Sequence, residues 1–154
     1  SFQSTIGGII DRLDQVVDQQ GRQLIRVVDY KTGGGRFAND LASVEAVFAC
    51  KNIESHSDYY LQTLLYSNIV RHSEKVNPQS LPVSPTLLFI QHSLNSSPTL
   101  KLGKQPIADV VDLEKDFWEN LEKLLSDIFN PALPFVPTDN PKRCSLCPFK
   151  KMCW

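Results

Sequence analysis

The stretch Gly8-Ile-Ile-Asp11, together with Val27-Val-Asp-Tyr-Lys31, decides the fold that we predict for this chain. Each piece lies in a segment rich in Ile, Leu and Val, the first over residues 5–17 and the second over residues 23–30. The turn signal Asp18-Gln-Gln-Gly21 separates the two segments, which predicts a β-hairpin. Because both pieces carry two adjacent apolar residues, both strands are expected to be covered on both faces, as in an α/β layer fold.

Two charged residues, Asp29 and Lys31, stand at the end of the second predicted strand. Buried charges cost several kcal/mol unless they are paired or bind a metal, and residues two apart in a strand share a face. If Gln19-Gln-Gly21 forms a hairpin loop with the glycine in the left-handed conformation, Asp11 lies opposite Asp29. Two facing carboxylates repel unless a cation lies between them, and an all-oxygen site suits Mg²⁺ or Mn²⁺. The simpler alternative is that the two aspartates lie at strand ends and face water.

Further along the chain, helical and strand patterns alternate. Residues 31–54 form a long connection, and residues 58–72 are predicted to form a helix capped by Ser57. Residues 86–91 are predicted to form a buried strand, and residues 113–129 a second long helix. Prolines then end helical structure and lead into the tail of the chain. The apolar stripe of the first helix is expected to comprise Leu61, Leu64, Leu65 and Ile69.

Three cysteines near the end of the chain have the spacing Cys144-x2-Cys147-x5-Cys153, and Cys50 lies far from them. The lack of a recognisable secretion signal predicts a reducing compartment, and we expect the bacterial cytoplasm. Clustered cysteines in such a compartment bind a metal more often than they form disulfides. No apolar run approaches the ~18 residues that would suggest a membrane span.

The net charge of −1 argues against a uniformly basic DNA-binding surface. Any nucleic acid must therefore bind through local patches that contact phosphate. The basic residues around the tail cysteines offer one such patch, with a solvated tail as the equal alternative. These residues are Lys142, Arg143, Lys150 and Lys151.

These features together resemble the PD-(D/E)XK nuclease superfamily, and most closely its RecB/AddB-like branch. That branch has the pattern G-x-x-D-R-x-D, which residues 8–14 match, and a strand ending in D-Y-K-T-G, which residues 29–33 match. It also has a Q-x3-Y pair on the following helix, which Gln62 and Tyr66 supply. AddB-like members end in C-x2-C-x5-C, so the matched features extend to Cys153.

The resemblance implies an α/β, restriction-endonuclease-like core with a central mixed β-sheet flanked by helices and a cysteine-containing C-terminal arm. A single nuclease domain would span residues 1–154, with its core over residues 1–137 and a cysteine-rich tail over residues 138–154, as the C-terminal fragment of a larger protein. In the same way, Asp11, Asp29 and the backbone carbonyl of Tyr30 are implied to hold Mg²⁺ or Mn²⁺. The residues implied to act in catalysis are Asp11, Asp29, Lys31, Gln62 and Tyr66.

The tail cysteines Cys144, Cys147 and Cys153 resemble three ligands of an AddB-type 4Fe–4S cluster, which normally has four. In that branch the fourth ligand lies upstream of the nuclease motif, so the cluster is expected in the full-length parent and is incomplete here. Cys50 as fourth ligand and a zinc site remain open alternatives. The branch also places a His near the metal on an N-terminal helix, and we expect that His upstream of Ser1.

The implied activity is that of a Mg²⁺-dependent deoxyribonuclease, an exonuclease in DNA end processing or recombinational repair. Its substrate is DNA, and its expected partner is a helicase-like domain or subunit. One alternative is a non-catalytic DNA-binding or scaffold module on the same fold, which is expected to lose a metal-binding acid or the lysine. Another is a nuclease of CRISPR-adaptation or mobile-element type. Because Asp11, Asp29 and Lys31 are all present, the sequence favours the enzyme.

Overall fold

The structure is a computed structural model, and it describes residues 5–32, 41–49, 56–90, 99–138, 140–145 and 147–153. No helix in this part of the chain is long and apolar enough to cross a membrane. The strands are β1 (Arg12–Val17), β2 (Gln23–Lys31), β3 (Val83–Phe89), β4 (Lys101–Leu102) and β5 (Gln105–Pro106). The α-helices are α1 (Val44–Phe48), α2 (Ser57–Arg71), α3 (Glu114–Ile128), α4 (Pro141–Ser145) and α5 (Lys150–Cys153), and a 3₁₀ helix at Val110–Leu113 leads into α3.

A mixed three-stranded sheet in the order β1-β2-β3 forms the centre of the fold. β1 runs antiparallel to β2 through the hairpin, whereas β3 runs parallel to β2. A parallel pair needs a long crossover connection, and here the crossover contains α1 and α2, of which α2 packs on both β2 and β3. The structure therefore confirms an α/β fold with a mixed sheet and helices.

The turn between β1 and β2 sets the register of the hairpin. Gly21 has φ +79°, the left-handed conformation predicted for it, and the Asp18 amide donates to the Arg22 carbonyl at 2.9 Å. The Asp18 carboxylate accepts hydrogen bonds of 2.8 and 2.9 Å from the amides of Gln20 and Arg22 and one of 2.8 Å from the Arg22 guanidinium. The Arg22 amide is the largest cause that holds the pKa of Asp18 below its ordinary value. Every residue pair of the two strands follows the predicted register.

β1 is shorter than predicted. It begins at Arg12, where its pairing with β2 ends. The next amide of β2 that points toward β1 belongs to Tyr30, and it donates to the Asp11 carboxylate at 2.9 Å instead of to a backbone carbonyl. A side chain that takes such a bond competes with the strand. Residues 5–10 consequently have no regular secondary structure, and Ile9 is 85% exposed. The prediction of a first strand that begins near residue 5 and is covered on both faces is wrong, whereas the adjacent valines of β2 are both buried.

The hydrophobic core lies between the sheet and the helices. α2 packs on β2 and β3, and α1 packs against both α2 and α3. Burial of one large apolar side chain contributes about 1.5–3 kcal/mol, so this layer is the main source of stability. Side chains that are fully buried come from each of these elements, among them Val27, Val47, Leu64, Val83 and Phe117.

α2 is buried over a wider face than its apolar stripe predicted. The helix begins at Ser57 with His56 in the N-cap position, so the cap predicted for Ser57 is wrong. Of the predicted stripe only Leu64 is fully buried, and Ile69 is 42% exposed. Because α2 contacts the sheet, α1 and the 3₁₀ helix, polar residues on it are buried as well. The Thr63 hydroxyl, for example, donates to a backbone carbonyl one turn earlier at 2.8 Å, which makes its burial tolerable.

The Asp109 carboxylate links the end of α2 to the start of β3. Asp109 Oδ1 accepts a hydrogen bond of 3.1 Å from the Val83 amide at the start of β3. Arg71 Nε, at the end of α2, lies 3.3 Å from both carboxylate oxygens of Asp109, which also accepts from the Val111 amide in the 3₁₀ helix.

The bounds of β3 and α3 can be compared with their predictions. β3 begins at Val83, earlier than the predicted residue 86, whereas α3 lies within one residue of its predicted bounds at each end.

Gly21→Ala is expected to lower the free energy of unfolding by about 1 kcal/mol, since a side chain in the left-handed region is strained. The expected loss of stability does not come from a steric clash, because a Cβ placed on Gly21 meets no described atom within 4 Å. Urea unfolding followed by circular dichroism measures the change. Gly7→Ala is the matched control, because Gly7 has the same open space without a positive φ. Equal stability of the two variants would contradict the turn conformation.

Candidate active site

The carboxyl end of β2 holds Asp29 and Lys31 side by side. The two residues share the strand face that packs on α2, as their spacing predicts. Asp29 is only 4% exposed, and Lys31 Nζ lies 2.5 Å from Asp29 Oδ2. Because a buried carboxylate needs a positive charge close by, this ion pair accounts for the burial of Asp29.

Asp29 Oδ2 nevertheless accepts no hydrogen bond from any residue that the structure describes, although the atom is buried. The Lys31 ammonium forms an ion pair with this oxygen, and among the described residues the oxygen has no hydrogen-bond partner in addition. A buried acceptor without a donor is costly, and a further cation would stabilise it. Asp29 Oδ2 therefore fits the role of a metal ligand.

Asp11 lies just before β1 and reaches the same end of the sheet. Its Oδ2 atom accepts the hydrogen bond from the Tyr30 amide, which is the nitrogen of the peptide bond between Asp29 and Tyr30. This bond fixes the Asp11 carboxylate beside the backbone of Asp29. Asp11 is exposed whereas Asp29 is buried, so the site has one outer and one inner carboxylate.

The backbone carbonyl of Tyr30 faces the same side of β2 as Asp11. In a strand, the N–H and C=O groups of one residue point to the same neighbouring strand, and successive residues alternate between the two neighbours. The Tyr30 amide points to Asp11 on the β1 side, while the Ile25 amide donates to the Pro82 carbonyl on the β3 side. The carbonyl of Tyr30 therefore lies beyond the last residue pair of the hairpin. All three oxygen donors predicted from the sequence, including Asp29, lie at this end of β2.

α2 brings the two remaining predicted site residues to Lys31. Lys31 Nζ donates to Gln62 Oε1 at 3.1 Å. Gln62 Nε2 lies 3.5 Å from the Tyr66 hydroxyl, which is the long limit for a hydrogen bond. Gln62 and Tyr66 are one helical turn apart and share a face. The residues predicted to act in catalysis are thus linked to one another by side-chain contacts and by the backbone of β2.

A family model described as the PD-(D/E)XK nuclease superfamily matches residues 1–154. The chain belongs to this superfamily. Its mixed three-stranded sheet with helices is consistent with the PD-(D/E)XK core, and members of the superfamily typically use a divalent metal. Comparisons with curated proteins and with solved structures found no significant match. The RecB/AddB-like branch stays a prediction from the motifs.

In this PD-(D/E)XK protein, Gly8 lies against the ring of Tyr66. A Cβ placed on Gly8 would lie 2.7 Å from Tyr66 Cζ and closer still to the hydroxyl oxygen, which no unbonded carbon atom tolerates. Residues 5–10 therefore pass over Tyr66 at a position that has no side chain. This contact explains why residue 8 of this chain, three positions before Asp11, is a glycine.

Tyr59 is a site residue that the sequence patterns did not identify. Lys31 Nζ lies over its ring, 4.3 Å from the centroid, and His56 stacks on the same ring with centroids 4.7 Å apart and planes 9° apart. Tyr59 precedes Gln62 by three positions, so the two residues share a helix face. That spacing is the signal that could have identified it. The neighbouring Tyr60 is equally aromatic but lies in the core, and sequence alone does not distinguish the two.

Arg12 and Asp14 belong to the D-R-x-D motif but lie on the other face of the hairpin. Arg12 Nε lies 2.7 Å from Asp14 Oδ1, and Arg12 Nη1 donates to the Tyr30 hydroxyl at 3.2 Å. The hydrogen bond to Asp14 is the largest cause that raises the pKa of Arg12 above its ordinary value. Because neighbouring residues of a strand alternate faces, this cluster points away from Asp29 and braces the hairpin.

The tail cysteines do not converge on one site in the described part of the chain. Cys144 and Cys147 are half-buried free thiols, and Cys153 is an exposed free thiol in α5. Within the described residues, no group of three His, Cys, Asp or Glu side chains is placed to hold a metal. The Cys144 thiol lies 4.0 Å from the Thr138 carbonyl instead. The cysteine ligand set is therefore not supported by the structure, and Cys50 lies outside the described residues.

Gly8→Ala is expected to lower the free energy of unfolding by about 1 kcal/mol, because the new methyl group overlaps the Tyr66 ring and the exposed segment must shift away from it. Adding Tyr66→Phe removes the nearest atom and should restore part of this loss in the double mutant. Urea unfolding of the two single mutants and the double mutant measures both effects, with Gly7→Ala as the matched control. A Gly8→Ala protein as stable as this control would contradict the close packing of Gly8 on Tyr66.

Proposed function

We propose that this chain is a metal-dependent deoxyribonuclease domain that hydrolyses DNA phosphodiester bonds at the carboxyl end of β2. The observation that carries the proposal is the buried Asp29–Lys31 ion pair, which lies beside the Asp11 carboxylate and in contact with Gln62. Membership in the PD-(D/E)XK nuclease superfamily supports the class of reaction. The presence of both acids and the lysine at one place favours catalysis over a scaffold role.

In this proposal Mg²⁺ or Mn²⁺ is held by Asp29 Oδ2, the Asp11 carboxylate and the Tyr30 carbonyl. All three are oxygen donors, which hard divalent cations prefer. Asp29 Oδ2 is buried and has no hydrogen-bond donor among the described residues, so it is able to bind a cation. An ion held there would supply Lewis acidity to the phosphate and lower the pKa of a bound water.

The charges of the side chains support the need for a cation. Asp11 and Asp29 carry two negative charges and Lys31 one positive charge, so this end of the sheet is negative without a metal. A DNA phosphate at contact distance would be repelled by that charge. Binding of DNA here therefore requires additional positive charge, as the divalent metal typical of the superfamily would provide.

Lys31 places a fixed positive charge beside the reacting phosphate. Its ammonium donates to Gln62, and Gln62 is in turn contacted by Tyr66, so the end of the flexible lysine side chain is held in place. A cation that is oriented in advance stabilises the charge that develops in the transition state without reorganising during the reaction. Gln62 and Tyr66 act in this mechanism by orienting Lys31.

We extend the proposal to an exonuclease of the RecB/AddB-like branch that processes DNA ends in recombinational repair with a helicase-like partner. The contact between Gln62 and Lys31 supports the branch, because it gives the Q-x3-Y pair a position beside the catalytic lysine. An iron–sulfur cluster on Cys144, Cys147 and Cys153 of the full-length protein belongs to the same extension.

Asp29→Asn and Lys31→Ala are each expected to lower Mg²⁺-dependent cleavage of linear DNA by the full-length protein about 100-fold or more. The first removes the charge of the inner carboxylate, and the second removes the positive charge beside the phosphate. Initial cleavage rates measure the loss, and circular dichroism checks that each variant is folded.

Matched controls for these substitutions are Asp127→Asn and Lys104→Ala, which change the same residue types at exposed positions. Both control proteins should cleave DNA at the wild-type rate. Full cleavage activity in both the Asp29→Asn and the Lys31→Ala proteins would refute the proposed site.

A further inference from the structure

Among the described residues, three groups contact the Lys31 ammonium, and the proposed function uses only two of them, Asp29 and Gln62. The third is the ring of Tyr59, whose centroid lies 4.3 Å from Lys31 Nζ. This distance is well within the ~6 Å over which an ammonium is attracted to an aromatic face. The Lys31 side chain is 15% exposed, so water screens the contact only weakly.

The Tyr59 ring is itself held in a defined orientation. His56 stacks on it from the start of α2, with centroids 4.7 Å apart. Phe89, at the end of β3, packs against it at 6.4 Å with planes 47° apart. Phe89 is also the register partner of Lys31 between β2 and β3. The ring therefore lies between the helix that carries Gln62 and the strand that lies beside Lys31.

An aromatic ring suits this position better than another polar group. Lysine has a flexible side chain with three donors, and the Gln62 carbonyl fixes the ammonium from only one direction. A third carboxylate near Asp11 and Asp29 would also hold the ammonium, but it would add negative charge where a phosphate must bind. The face of a ring attracts the ammonium and carries no net charge.

We propose that Tyr59 is a positioning residue that holds the Lys31 ammonium through the face of its ring. The ring is the required part and the hydroxyl is not. The inference rests on the proposed function, in which Lys31 acts on the phosphate. Gln62 and Tyr59, three residues apart on α2, then fix the ammonium together.

The kinetic test compares Tyr59→Leu with Tyr59→Phe in the full-length protein. Tyr59→Leu should lower kcat for DNA cleavage about 5- to 30-fold, the effect of losing a shielded ring–ammonium contact. KM for DNA should stay within about twofold, because the ring orients Lys31 and does not bind the substrate. Tyr59→Phe keeps the ring face and should restore most of kcat. Tyr59→Met replaces Tyr59→Leu if the latter does not fold.

A second test does not depend on nuclease activity. In a double-mutant cycle of urea unfolding, Tyr59→Leu and Lys31→Met should be coupled by about 3- to 30-fold in the unfolding equilibrium constant. Tyr60→Phe removes a hydroxyl that donates to the Lys101 carbonyl at 3.0 Å, and it should show no coupling to Lys31→Met. This variant is the matched control on the same helix.

The outcomes separate the inference from the proposed function. Additive effects of Tyr59→Leu and Lys31→Met would overturn the inference, and so would a Tyr59→Phe protein as impaired in kcat as Tyr59→Leu. Coupling in unfolding together with wild-type cleavage by Lys31→Ala would instead overturn the catalytic role of Lys31. Three results together would support both the inference and the proposed function. These are coupling in unfolding, a loss of kcat in Tyr59→Leu and recovery of kcat in Tyr59→Phe.

Discussion

The hydrogen bond from the Tyr30 amide to the Asp11 carboxylate lies directly beyond the last backbone pair between β1 and β2. It takes the place of a strand hydrogen bond, so β1 ends and residues 5–10 are free to cross Tyr66. The same bond places a carboxylate beside Asp29. A slip of one residue in the register would turn every side chain of a strand to the opposite face. The turn at Gly21 therefore controls the site, although about 30 Å of strand separates the two.

The register of the hairpin is a part of the fold that the sequence predicted closely, because it depends on local chemistry. Gly21 in the left-handed conformation and the Asp18 carboxylate determine the loop, and the pairing of β1 with β2 follows from it. The bounds of α3 were also predictable, since its buried residues lie on one face that packs on α1 and on the 3₁₀ helix. α2 was not, because it is buried on several sides and buries Thr63, whose hydroxyl bonds to the helix itself. Such burial depends on tertiary packing, which periodicity does not report.

Some residues of the candidate site were likewise predictable from the sequence, and others were not. The sequence patterns named Asp29, Lys31 and Gln62, and the structure brings them into contact. The patterns did not identify Tyr59, because its role depends on which of two adjacent tyrosines faces the lysine. They also assigned the tail cysteines to one cluster of the full-length protein, and that assignment stays a prediction. Motif spacing restricts residues near a turn or a strand end strongly, because few conformations are possible there, whereas it restricts residues on a long arm only weakly.

In the proposed site the two aspartates at the open end of the hairpin share a divalent cation, and metal binding tests this sharing most directly. Calorimetric titration of the full-length protein with Mn²⁺ can compare the wild type with Asp11→Asn, Asp29→Asn and the exposed control Asp127→Asn. We expect both site substitutions to weaken Mn²⁺ binding about tenfold or more, with the control unchanged. Wild-type Mn²⁺ affinity in both the Asp11→Asn and Asp29→Asn proteins would contradict a shared cation.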